Sequence, residues 1–173
     1  MVKLGASIWC LPKPLRNPME FLSRAKEIGY DGVELALADG DLGLSTTDLS
    51  RKWKSILEKA STLNMEIPSI TTGLYWRYNM IVNGDDALKV LRVQCEIASL
   101  VNAHIVLVIP GIAVSNLDYY EHFRRVVRVL KKASKIAKDY NVIIGLEPVW
   151  NRLFPSPLDF KKLIDDVGED NVK

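Results

Sequence analysis

One glutamate directly follows an apolar run, and its residue type and position suit metal binding or proton transfer. Four of the five residues Val142–Leu146 are apolar, which is typical of a strand buried on both faces. Glu147 comes next, and Pro148 follows it. A carboxylate in such surroundings is costly to bury unless a cation or hydrogen-bond donors meet it. Its oxygens suit Mn²⁺, Mg²⁺ or Zn²⁺, and could also accept a proton from a carbon next to a carbonyl.

Polar residues near Glu147 and on a second strand extend this candidate site. Asn151 and Arg152 follow Glu147 closely. These polar neighbours favour a functional role for Glu147, with substrate binding by the pair, over the alternative in which the Glu147 carboxylate only accepts hydrogen bonds from loop amides. Glu34 occupies the same relative place in the apolar segment 31–37. Two interpretations of Glu34 stay open: it binds or supports a substrate, or it ties down a loop.

Aromatic residues are concentrated where the candidate strands end. Trp9 lies near the end of the first strand, and Tyr75 and Trp76 lie in the loop after the third. Such side chains either form the wall of a sugar pocket or pack at a rim, and we expect these three to contact the substrate.

Neither histidine is predicted to bind a ligand. His104 begins its strand, which places it at the end opposite the expected site. His122 lies within a helix among Glu121, Arg124 and Arg125, and we expect it to face solvent.

Strand and helix patterns alternate along the whole chain. We predict strands near residues 2–9, 31–37, 65–72, 104–110 and 141–149, and helices near 17–29, 48–64, 85–102, 117–139 and 156–168. Capping patterns begin at Asn17 and Ser156, and Asn116 is the expected cap of the fourth helix. This order predicts an α/β fold with a parallel sheet. A barrel is favoured over an open sheet because no glycine-rich turn follows the first strand.

The chain length predicts a partial barrel. Five βα units in 173 residues average about 35 residues each, so eight would need roughly 275. We therefore expect residues 1–173 to form one partial TIM-barrel domain, the first five βα units of a (β/α)8 barrel. An interrupted gene, a missing remainder and a native half-barrel that pairs with another copy are the alternatives.

Composition indicates an ordinary globular protein. Hydrophobic residues make up 48% and charged residues 25% of the sequence, and the net charge of +2 is close to balance. The basic residues of segment 124–138 interleave with apolar ones at helical spacing, which indicates a solvated helix face and no nucleic-acid partner. Cys10 and Cys95 are expected to be buried free thiols. No signal peptide or membrane-spanning run is recognisable, which predicts a cytoplasmic protein with no membrane partner.

Several segments give the chain a family resemblance. It resembles the xylose isomerase-like barrel superfamily of sugar and sugar-phosphate isomerases and epimerases. The segment Leu146–Arg152 with Ser156 and Pro157 is similar to the branch of hexulose-phosphate isomerases and pentulose-5-phosphate 3-epimerases. The other matching segments are 29–35, 72–76 and 106–111.

The resemblance implies a role for Glu147 and a sugar or sugar phosphate as partner. Glu147 would be a ligand of a divalent metal and one of two acid/base carboxylates that form and reprotonate an enediolate. The other ligands, an aspartate, a histidine and a glutamate, belong to the last three strands of the family and have no counterpart in this sequence. The chain as given could therefore be inactive.

Two other functions are alternatives to this one. Metal-dependent apurinic endonucleases share the superfamily, but they take histidine ligands from strand ends where this chain has segments 70–73 and 109–111, which contain none. A non-catalytic half-barrel that self-associates through exposed strand edges, as a homo-oligomer, is the other rival.

Overall fold

A computed structural model describes residues 2–173, in which five parallel strands alternate with five α-helices. The strands are β1 (Gly5–Ser7), β2 (Gly32–Ala36), β3 (Ser69–Thr71), β4 (Ile105–Val108) and β5 (Ile143–Leu146). The helices are α1 (Pro18–Ile28), α2 (Thr46–Thr62), α3 (Gly84–Leu100), α4 (Tyr119–Asp139) and α5 (Pro157–Val167). The structure confirms the predicted α/β fold and its match to a partial TIM barrel.

The strands pair in chain order, from β1 at one edge to β5. Every neighbouring pair is parallel, so all carboxyl ends lie at the same rim of the sheet. The last residues also pair with β5: Ile144 N–H donates to the Asn171 carbonyl (2.8 Å), and Lys173 N–H donates to the Ile144 carbonyl (2.9 Å).

The two faces of the sheet differ sharply in burial. One face packs against the helices and is fully buried; its residues include Val33, Leu35, Ile70, Val106 and Ile144. The other, which we call the open face, carries Ser7, Glu34, Ser69, Ile105 and Ile143 in neighbouring register positions. Ile105 and Ile143 each expose 38% of their surface there. In a closed barrel this face fills the interior.

Helix caps largely follow the predicted pattern. The Asn17 side chain accepts a hydrogen bond from Met19 N–H at 2.9 Å, and Ser156 forms a capping box. The predicted cap Asn116 is wrong, because Asp118 accepts a hydrogen bond from Glu121 N–H at 2.7 Å and begins α4. A carboxylate cap also interacts favourably with the helix dipole.

The two cysteines differ in environment. Cys95 is buried in α3, and this burial raises the pKa of its thiol to about 12. The prediction that Cys10 is buried is wrong: Cys10 is exposed, because the chain after β1 turns into a short 3-10 helix, Ile8–Cys10, that leaves the sheet. Within residues 2–173, none of the helices is long and apolar enough to cross a membrane.

A glycine at the start of β2 permits a close backbone contact, and its substitution tests the register of the sheet. A Cβ atom at Gly32 would lie 2.9 Å from the Glu66 carbonyl oxygen, whereas one at its partner Gly5 would find no atom nearer than 3.6 Å. We expect Gly32→Ala to lower the free energy of unfolding by about 1–3 kcal/mol through this overlap. Gly5→Ala is the matched control, and urea unfolding is the measurement. Equal stability of the two variants would contradict the register described.

Candidate functional site

Glu147 lies at the carboxyl end of β5, on the rim where parallel barrels bind their ligands. Its N–H donates to the Val108 carbonyl at 3.0 Å, so the backbone pairing with β4 continues into this residue and fixes its position. The side chain is half-buried.

The environment of Glu147 raises the pKa of its carboxyl group. Burial is the main cause that raises the pKa of Glu147 above its ordinary value, and the negative charge of Glu34 raises it further. No hydrogen bond to the carboxylate offsets these effects among residues 2–173. A carboxylate with a raised pKa and unused oxygens is suited to proton transfer or to binding a cation.

Glu34, in contrast, is held by two serines. Its Oε1 accepts a hydrogen bond from Ser7 of β1 and its Oε2 accepts one from Ser69 of β3, each at 2.8 Å. The carboxylate therefore links three strands across the open face and does not tie down a loop. Its role towards a substrate stays a prediction.

Two of the predicted aromatic contacts lie on the rim. The indole N–H of Trp9 donates to the Thr71 hydroxyl at 3.1 Å, and the Arg16 guanidinium lies 4.5 Å from the centre of the Trp9 ring. Trp76 is 48% exposed and belongs to the short 3-10 helix Leu74–Trp76 after β3. Both side chains are accessible from solvent, and their contact with a substrate stays a prediction.

The predicted substrate contact of Tyr75 is corrected by its burial. Tyr75 is fully buried, and its hydroxyl donates to Gln94 Oε1 at 2.8 Å. Gln94 in turn donates to the carbonyls of Ile70 (2.7 Å) and Leu107 (3.0 Å). Burial raises the pKa of Tyr75 well above its ordinary value. The tight turn sends Tyr75 into the core and its neighbour Trp76 outwards.

The predicted substrate contact of Asn151 is also corrected. Its fully buried side chain donates to the Gly111 carbonyl (2.8 Å) and accepts from Leu153 N–H (3.1 Å). Its carbonyl accepts from Ala113 N–H at 3.0 Å, so Asn151 joins the loops after β4 and β5. Arg152 is exposed beside it, with a φ of 59°, and its substrate role stays a prediction.

His122 is buried, which corrects the expectation that it faces solvent. Its Nε2 accepts a hydrogen bond from Val114 N–H at 2.9 Å, and its Nδ1 lies within hydrogen-bonding distance of the Asp118 carbonyl. His122 thereby holds the loop between β4 and α4. His104 is exposed at the amino-terminal side of β4, where the sequence places it.

Sequence reasoning missed Asn79, a further residue that organises the rim. Its Oδ1 accepts from Ile81 N–H (3.0 Å) and Ile112 N–H (3.1 Å), while its Nδ2 donates to the Ile112 carbonyl (2.8 Å). Asn79 thus joins the loops after β3 and β4. The two bonds to Ile112 join residues 33 positions apart in sequence, so no local pattern signals them.

The described residues do not form a complete metal site. Within residues 2–173, no three or more histidine, cysteine, aspartate or glutamate side chains are grouped so that they could hold a metal ion. Both oxygens of Glu34 already accept hydrogen bonds. Glu147, whose carboxylate accepts no hydrogen bond within residues 2–173, could supply one metal ligand.

A model of the xylose isomerase-like TIM barrel family matches residues 22–173 of the chain. No protein in a search of curated sequences matches it.

Solved structures of sugar epimerases share the fold. They include D-psicose 3-epimerase from Clostridium cellulolyticum H10 with D-tagatose (TM-score 0.81, 14% identity, 99% of this chain and 62% of that chain). L-Ribulose 3-epimerase is also similar (TM-score 0.77, 19% identity, 99% and 59% covered), as is 3-keto-D-glucoside 4-epimerase from E. coli (TM-score 0.72, 15% identity, 100% and 67% covered). The chain thus spans about three fifths of the length of the first two.

The pKa of Glu147 should depend on the charge of Glu34. Glu34→Gln removes that charge while the new amide keeps an oxygen that accepts from a serine, so the pKa of Glu147 should fall towards its ordinary value. Carboxyl ¹³C NMR titration of the metal-free chain measures it. Glu66→Gln, which changes a glutamate near the beginning of β3, is the control and should leave the titration unchanged. An unaltered Glu147 titration in Glu34→Gln would contradict the coupling.

The same shift predicts a pH dependence of stability. Because the folded-state pKa of Glu147 is raised, its contribution to stability is fully present below the unfolded-state pKa. That contribution is lost as pH rises through the folded-state pKa. Glu147→Gln should therefore melt at a higher temperature than the unmodified chain at neutral pH without metal, and the difference should disappear on acidification. A difference that persists unchanged in acid would contradict this origin.

The buried position of Tyr75 predicts a loss of stability on substitution. Tyr75→Phe leaves the Gln94 oxygen without its donor, which should lower the free energy of unfolding by about 1–3 kcal/mol. Tyr78→Phe is the matched control, because no hydrogen bond of its hydroxyl to residues 2–173 is present, and it should change stability little. Thermal and urea unfolding measure both. A Tyr75→Phe chain of unchanged stability would restore Tyr75 as a candidate for the pocket wall.

Proposed function

Since the chain belongs to the xylose isomerase-like TIM barrel family, we propose that it contributes to a divalent-metal-dependent isomerase or epimerase of a ketose or ketose phosphate. The observation that carries the proposal is Glu147, a half-buried carboxylate with a raised pKa and no hydrogen-bond donor among residues 2–173, at the carboxyl end of a barrel strand.

In the proposed reaction Glu147 acts on the carbon next to the ketose carbonyl. Its carboxylate takes the proton from that carbon, and the electron pair of the broken C–H bond forms an enediolate. A second acid returns a proton to the opposite face of the same carbon, which gives epimerisation, or to the neighbouring carbon, which gives isomerisation. The raised pKa of Glu147 makes it a stronger base than an ordinary carboxylate, and this favours the first step.

Mn²⁺, Mg²⁺ or Zn²⁺ is the proposed cofactor, with Glu147 as a ligand. Such an ion would supply charge that stabilises an enediolate. Because residues 2–173 do not complete a site for it, the steps above are assigned to side chains of the chain alone.

The remaining candidate residues are proposed to bind the sugar. Trp9 and Trp76 would provide apolar surfaces at the rim, and Arg152 would donate hydrogen bonds to hydroxyl groups. Glu34 would orient a hydroxyl group or keep the pKa of Glu147 raised. A cytoplasmic location is proposed from the sequence.

A second candidate function is a non-catalytic half-barrel that self-associates. The open face favours it, because Ile105 and Ile143 are large apolar side chains with substantial exposure, and the outer edge of β1 has no strand partner among residues 2–173. Mass measurement in solution as a function of concentration separates a monomer from such an assembly.

Exchange of the α-proton with solvent tests the proposed reaction. In the protein at its natural length, supplied with Mn²⁺ and ketose phosphates in deuterated water, Glu147→Gln should reduce exchange by about 10²–10⁴-fold, the usual contribution of a general base. Proton NMR of the substrate measures it. Glu58→Gln, on the exposed surface of α2, is the control and should retain full exchange. Exchange that persists in Glu147→Gln would remove Glu147 from the base role.

A further inference from the structure

A cavity lies between the loops that follow the first three strands, on the same rim as Glu147. Its volume is about 490 Å³, within the usual range of small-molecule sites. Ile8 and Trp9 after β1, Leu37 at the end of β2, and Gly73 and Leu74 after β3 form much of its wall. The cavity is thus built from the end of β2 and from the loops that follow β1, β2 and β3.

Two cations line this cavity without a carboxylate partner. Lys13 and Arg16, both in the loop between β1 and α1, make no ion pair within residues 2–173. The carboxylate of Asp39 also borders the cavity, but it is paired with Arg77 at 3.1 Å. The cavity therefore has an excess of positive charge that no described residue neutralises.

Arg16 is held in place before any ligand arrives. Its guanidinium stacks over Trp9, and its Nε–H donates to the Leu11 carbonyl at 2.8 Å. These contacts leave both Nη groups free of hydrogen bonds to residues 2–173. A planar, pre-positioned guanidinium is suited to bidentate recognition of phosphate oxygens, and a nearby lysine adds a mobile point charge.

We propose that Lys13 and Arg16 form a subsite for the phosphate group of a ketose phosphate, with Trp9 supporting Arg16. The assignment rests on the proposed function in that it takes the anion to be part of the sugar substrate. The carboxylates Glu34 and Glu147 are on the same side of the sheet, so they repel a phosphate and favour its placement at the cationic loop after β1. The subsite selects phosphorylated sugars over free ones.

Calorimetric titration of the purified chain tests the subsite without requiring turnover. The probes are ribulose 5-phosphate, ribulose and inorganic phosphate. We expect ribulose 5-phosphate to bind at least about tenfold more tightly than ribulose, since charged hydrogen bonds each contribute enough for such a factor. Inorganic phosphate should compete for the same site, and higher salt should weaken both phosphate-containing probes.

Charge-removing variants localise the effect. Arg16→Gln should weaken ribulose 5-phosphate binding at least about tenfold, and Lys13→Gln should weaken it by a smaller factor. Lys54→Gln, at an exposed position of α2, is the matched control and should change nothing. Circular dichroism checks the fold of each variant. Because Lys13 is exposed, its substitution tests the subsite even where loss of the Arg16 stack alters the loop.

The results separate this proposal from the proposed function. Equal binding of ribulose and its phosphate, no binding of the phosphate, or equal weakening by Lys54→Gln and Arg16→Gln would overturn the subsite. Those results would leave the proton-exchange test of Glu147 untouched. Conversely, phosphate binding that depends on Arg16 supports the subsite even where Glu147→Gln retains exchange and the proposed reaction fails.

Discussion

The partial burial of Glu147, beside a second carboxylate on the same open face, is the constraint on which the candidate site depends. Glu34 compensates its partial burial with two serine donors, whereas no donor in the described chain does the same for Glu147. The charged form of Glu147 is therefore less favourable than that of an ordinary glutamate, and the protein retains a group that a stability-optimised surface would replace. An unsatisfied carboxylate of this kind is expected where function requires reactivity.

The rim around Glu147 is held by buried polar side chains that are not themselves candidates for chemistry. Asn79 joins the loops after β3 and β4, and Asn151 joins those after β4 and β5. His122 holds the loop between β4 and α4 by accepting a hydrogen bond from Val114 N–H. These side chains bind backbone groups of the loops and so hold the strand ends in one arrangement. The backbone of Glu147 is therefore fixed, although no hydrogen bond holds its carboxylate.

The sequence was sufficient to predict the elements and the place of Glu147, because both follow from local patterns: apolar runs, caps and strand ends. It was not sufficient for Tyr75, Asn151 and His122. The sequence pattern places Tyr75 and Asn151 in a site because they follow strand ends, and places His122 at the surface because charged residues surround it. Each is instead buried and bonded to groups that the fold brings close. Whether a polar side chain faces a ligand or the interior is decided by such partners, which no single segment reveals.

The arrangement of charge along the rim favours one orientation of a bound sugar phosphate. Lys13 and Arg16 follow β1, at one edge of the sheet, while Glu147 follows β5 and Glu34 lies on β2 between them in strand order. A sugar phosphate bound with its phosphate at the cations would place its carbon chain over the open face, towards the carboxylates. The reverse orientation would bring a phosphate dianion against Glu147 and would leave the two cations without a partner. Electrostatics alone therefore favours the orientation that presents a carbon atom, and not a phosphate, to the base.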